Sequence, residues 1–143
     1  MTYGTVNARD DMVTKIQAAW QASEFSDVVI YGDNLPDPNL DEVAKFCNYE
    51  FVFNKSVQVT IAAKPVDRTW GQIEFGFGAR EGTGSRSLRV MLDYMKDEFK
   101  AATIGHVKTL IPSPGAPTRS NGWVIETLYV PFYFDSMDVA FHP

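Results

Sequence analysis

The spacing of apolar residues changes along the chain, and each change marks an element. Val6, Met12, Val13, Ile16, Ala19 and Trp20 recur at three- and four-residue intervals. Arg9, Asp10, Lys15 and Gln17 fall between them, so residues 5 to 22 are predicted as an amphipathic helix. Asp27-Val28-Val29-Ile30-Tyr31 is a short β-rich run, stopped by the turn formers Gly32-Asp33-Asn34. Residues 35 to 48 mix two prolines with Asp37, Asp41 and Glu42 around a brief Val43, Phe46 and Cys47 patch. This reads as an inserted acidic loop with at most one helical turn. Tyr49, Phe51 and Phe53, then Val57, Val59 and Ile61, alternate with intervening residues, which predicts one long strand or a hairpin bending at Asn54-Lys55.

The clearest period of two runs from Trp70 to Phe77, with Ile73, Phe75 and Phe77 on one face and Gln72 and Glu74 on the other. Glycines at 78, 82 and 84 then interrupt regular structure, and Ser85 is placed to cap a helix carrying Leu88, Met91, Leu92, Met95 and Phe99 on one stripe. Residues 103 to 111 form a weak strand, and the proline-rich stretch 112 to 122 a mobile connection. From Trp123 to Phe134 neither face is polar. Val124, Leu128, Val130, Phe132 and Phe134 lie on one side, Trp123, Ile125, Tyr129 and Tyr133 on the other, broken by Glu126 and Thr127. Two helices do not shelter a sheet twice, so an apolar face or the aromatic end beyond Pro131 is expected to meet a neighbouring chain. Pro131 lacks a backbone donor, which points to a sheet edge or strand end. The expected fold is α+β: a mostly antiparallel sheet with two main helices packed on it, in a single domain over residues 1 to 143, with a flexible tail at 136 to 143.

Composition narrows the function classes. With 143 residues, 45% of them hydrophobic and 22% charged, the chain is an ordinary globular domain. Its longest apolar run is far short of the ~20 residues of a membrane span. The start MTYGTVNARDDMVTKIQ lacks the marks of a secretory signal, so synthesis in the cytoplasm is expected. A formal net charge of −5 opposes a nucleic-acid clamp. Cys47 stands alone, and with only His106 and His142 beside it no metal-ligand spacing emerges.

Three groups of residues could carry chemistry. The glycines at 76, 78, 82 and 84 lie where a phosphate cradle would, but Gly84 is followed by Ser85-Arg86 and not by the lysine such a loop requires. Neither histidine accompanies a nucleophile motif. The acids near residues 33 to 42 miss the ladder of a calcium loop. No catalytic, metal or cofactor role is assigned, and the chain is read as a non-enzyme.

GQIEFGFGAREGTGSRSLRVMLDYMKDEFK, residues 71 to 100, is similar to the middle of the phage tail terminator family: a strand ending in an aromatic residue, a glycine-rich turn, then a helix with leucine and aromatic spacing. NGWVIETLYVPFYFD, residues 121 to 135, resembles that family's closing hairpin, and the first helix and Asn34-Leu35-Pro36 resemble its opening. The resemblance spans most of the chain apart from residues 37 to 48 and the end beyond Ser136. It implies a virion protein, assembled in the host cytoplasm, that forms a homo-hexameric ring at the head-tail junction. Such a ring caps the tail tube, stops its polymerisation and offers a docking surface to the neck. The implied partners are the tube protein, a neck or head-completion stopper protein and, in a contractile tail, the sheath. DNA would pass through the lumen ungripped, which suits six copies of charge −5. On this reading Trp123, Ile125, Tyr129, Phe132 and Tyr133 contribute to the subunit interface. Asp37, Asp41, Glu42, Pro114 and Arg119 lie on loops that contact tube or neck. Two other readings stay open: a different neck component, such as a head-completion or adaptor protein, and a small-ligand binder on the same scaffold.

Overall fold

The structure is a computed structural model, and it describes residues 2–32, 43–59, 66–83 and 85–136. Helix α1 spans Thr5–Gln21 and buries Ala8, Met12, Ile16, Ala19 and Trp20. The Asn7 side-chain oxygen accepts the Gly4 N–H at 3.0 Å and starts the helix. Val6, expected on the inner stripe, is 69% exposed. It lies six residues before Met12, which at 3.6 residues per turn sets it about 120° around the axis from that residue. Helix α2 spans Arg86–Phe99 and buries all five predicted residues, Leu88, Met91, Leu92, Met95 and Phe99. Ser85 stands at its start as expected, yet its hydroxyl makes no capping bond.

The strands are β1 (Val29–Gly32), β2 (Lys45–Gln58), β3 (Asp67–Arg80), β4 (Thr103–Ile104), β5 (Val107–Thr109), β6 (Ser113–Pro114), β7 (Thr118–Ser120) and β8 (Trp123–Ser136). They form one sheet in the order β1-β2-β3-β8-β5-β4, with β6 and β7 also pairing β8. All pairs are antiparallel except β1 with β2. Both helices lie on one face of this sheet. Trp20 stacks on Phe77 with ring centroids 6.4 Å apart, and Phe99 meets Phe75 at 5.5 Å. Tyr94 joins the two helices by donating its hydroxyl to the Ala19 carbonyl at 2.8 Å. The result is the expected α+β domain, with one core that takes in α1, α2 and the inner face of β2, β3 and β8.

Several expectations need correction. Lys45 to Asn48 are not loop but the first residues of β2, where Phe46 and Cys47 are buried. The acidic patch supplies the apolar side chains the sheet needs once β1 and β3 flank it. Residues 35 to 42 of that insertion, including Asp37, Asp41 and Glu42, lie outside the described residues, as do Ile61 and the tail beyond Ser136. The long-strand reading of residues 49 to 58 holds, and the bend is a bulge between Phe53 and Lys55. The segment from 103 to 111 is two short strands joined at Gly105-His106. Residues 112 to 122 are partly ordered, because β6 and β7 pair with β8. β3 runs on through Gly78 to Arg80.

Pro131 sits inside β8, paired with Gln72 of β3 on one side. Its carbonyl accepts the Leu110 N–H at 2.9 Å on the other. In an extended strand a residue's N and O point the same way, so the missing N–H faces the gap between β5 and β6. The strand is central, yet it is locally an edge where the proline falls.

Candidate functional site

Directly opposed residues of an antiparallel pair share a face, so the register divides the sheet into two surfaces. Leu128, Val130, Phe132 and Phe134 point toward the helices and are buried. Phe132 therefore does not join the other expected interface residues. It is fully buried, with the Phe53 ring 5.7 Å away, because it is one residue out of phase with Tyr133. Trp123, Ile125, Tyr129 and Tyr133 project from the opposite face and are half-buried, on the side of the sheet away from the helix side chains Trp20 and Phe99.

This open face is ordered in rows. At one end Arg80 lies over the Trp123 ring, 4.0 Å from its centroid, and Phe46 meets the same ring at 4.9 Å. Phe46 fits because it crosses Gly78, where an added Cβ would come within 2.2 Å of its ring. The middle carries Glu50, Glu74 and Tyr129 in one row. Glu74 accepts a hydrogen bond from the Gln72 side chain at 2.8 Å. Next comes Val52, Gln72 and Pro131, then Lys55, Trp70, Tyr133 and Lys108. Trp70 and Tyr133 are in contact at 4.9 Å. Arg68 stacks over Tyr133 at 4.6 Å and makes a two-pronged bond to Asp135, at 2.8 and 3.1 Å. Those bonds hold the Asp135 carboxyl below the ordinary carboxylate range.

Two carboxylates directly across an antiparallel pair repel, and among the described residues Glu50 makes no ion pair. Lys55 makes none either. The alternation of β3 marked Gln72 and Glu74 as outward, but the opposition of Glu50 to Glu74 depends on the pairing of distant segments.

The remaining expected contact residues lie elsewhere. Pro114 is exposed on β6 and lines a recess of about 210 Å³ with Arg89, Lys96 and Glu126. Glu126, read from the sequence only as a break in an apolar run, points under α2 with its side chain 5% exposed, and Arg89 stands 3.5 Å away. Arg119 on β7 is largely exposed and 3.7 Å from Glu81. His106 lies edge-on to Tyr3 at 4.8 Å. Cys47 is buried, and desolvation pushes its thiol pKa up. Among the described residues no three His, Cys, Asp or Glu side chains gather as a metal site. Nor, among the described residues, is any helix long and apolar enough to cross a membrane.

No protein-family model matches the chain, and no curated protein does. The fold nevertheless recurs as a whole. A solved structure, of a protein designated only by a serial label, superposes with a TM-score of 0.63 at 14% identity, covering 95% of each chain. Likeness at that identity concerns architecture and carries no activity across.

Proposed function

We propose that this chain is a structural subunit of a phage tail, a tail terminator that assembles as a six-membered ring. The ring caps the tube, ends its polymerisation and presents a surface to the neck. The observation that carries the reading is the uncovered face of β8. Ile125, Tyr129 and Tyr133, with Trp70 of β3 beside them, form a half-buried apolar and aromatic surface that no described helix covers. A surface of this kind, rimmed by charge, is the usual form of a protein contact. The resemblance of residues 71 to 100 and 121 to 135 to the terminator family supports the same role, and the formal charge of −5 per subunit suits a lumen that lets DNA slide.

The test is to add purified protein to preformed tail tubes and to examine the tube ends by electron microscopy and native mass measurement. Six copies per capped end, with elongation arrested, are expected. Tubes that continue to grow with no subunit at their ends overturn the assignment.

A further inference from the structure

The open face is polar in a definite sense along the strands. Glu50 and Glu74 occupy one row, Val52, Gln72 and Pro131 the next row on the same open face, and Lys55, Trp70 and Tyr133 the row after that. From Glu74 to Trp70 is four residues of β3, about 13 Å at 3.3 Å per residue. Acid, uncharged centre and base therefore follow one another over a short span, with Glu50 and Lys55 exposed and Lys108 extending the basic row.

We propose that this face pairs with the same face of a second copy, reversed, about a two-fold axis that runs along the Val52–Pro131 row. The proposal rests on the reading that the open face is a contact between copies, and it names how two free subunits satisfy that face before a tube is present. A copy laid on with its strands in the same direction places β2 over β8, so that Glu50 meets Tyr129 and Lys55 meets Tyr133 and neither charge finds its opposite. Reversal sets Glu50 of each copy against Lys55 of the other, brings Glu74 over Trp70 and Tyr129 over Tyr133, and leaves Val52 and Pro131 at the centre. Charge complementarity selects the reversed arrangement and selects a copy of this chain as occupant, because the one surface carries both halves of the match. The repulsion between Glu50 and Glu74 is relieved in the pair by the incoming lysines.

The consequence concerns assembly. A two-fold contact uses one surface against itself, whereas a closed six-membered ring joins two different surfaces, so the pair and the ring cannot share this face at once. The dimer is a resting form that must open before a subunit enters a ring, which keeps rings from closing away from a tube end.

Sedimentation velocity on the full chain tests this with Glu50→Lys, Lys55→Glu and the double variant carrying both. The native chain is expected to dimerise, more weakly as salt rises. Each single reversal places like charges together at two symmetric points and should weaken dimerisation about tenfold or more. The double variant restores both contacts and should return to within about threefold of the native value. Circular dichroism of each variant separates loss of pairing from loss of fold, which neither exposed position should cause. A monomer at every salt concentration, a native chain that passes directly to larger rings, or a double variant no better than the singles overturns the proposal. Capped tubes without a free dimer would sink this inference alone, and a dimer whose subunits never cap tubes would sink the terminator reading alone.

Discussion

At the scale of single residues, burial decides which groups are reactive. Cys47 lies inside β2, and desolvation raises its thiol pKa, so thiolate is scarce in the folded chain at neutral pH. A thiol reagent is expected to leave Cys47 unmodified in buffer and to label it fully in denaturant, as mass spectrometry would record; equal rates in both would show that β2 opens freely. The Arg68–Asp135 pair gives a pH dependence of definite sign. Asp135 titrates lower in the fold than in the unfolded chain, chiefly through its hydrogen bonds to Arg68. Its stabilisation is therefore present above the unfolded pKa of about 3.9 and is lost as pH falls through the folded value. The difference in thermal midpoint between native protein and Asp135→Asn should be present at neutral pH and shrink below about pH 4. Curves that stay parallel would assign the effect to packing instead.

At the scale of elements, the helices hold to the sheet by stripes of large side chains and not by their caps. Phe99 is fully buried against Phe75 at the last position of α2, so Phe99→Ala should cost about 3–5 kcal/mol in urea denaturation. Val6→Ala, outside the stripe of α1, should change stability by less than about 0.5 kcal/mol. Close strand packing makes a further demand at Gly71, where an added Cβ would fall 2.4 Å from the Val52 carbonyl and 2.7 Å from the Phe132 ring. Gly71→Ala is expected to destabilise the sheet by about 1–3 kcal/mol, and a neutral result would mean that β2 and β3 can spread at the bulge.

At the scale of the whole molecule, a two-layer domain with both helices on one side leaves the other side of the sheet for something else. That asymmetry underlies both the proposed ring and the proposed reversed dimer, and it sets what an assembly experiment should read. Tyr133→Lys, on the open face, should leave the fold intact and abolish tube capping, whereas Phe132→Ala, one residue away but in the core, should lower stability by about 3–5 kcal/mol. Equal effects of the two on thermal midpoint would mean that the open face is part of the monomer's own core.

Local pattern alone specifies the two helices, the strand at Trp70 to Phe77 and the two-sided apolar character of the last strand, because periods of 3.6 and 2 are local properties of the chain. It also separated Tyr133 from Leu128 and Val130. The tertiary structure decided the rest. Lys45 to Asn48 become strand only between β1 and β3, the short strands β4 to β7 exist only as partners of one another and of β8, and Pro131 is tolerated mid-strand only because a gap lies beside it. The row that sets Glu50 against Glu74, five residues along β2 from Lys55, depends on register between distant segments, and register is fixed by pairing that no local pattern contains.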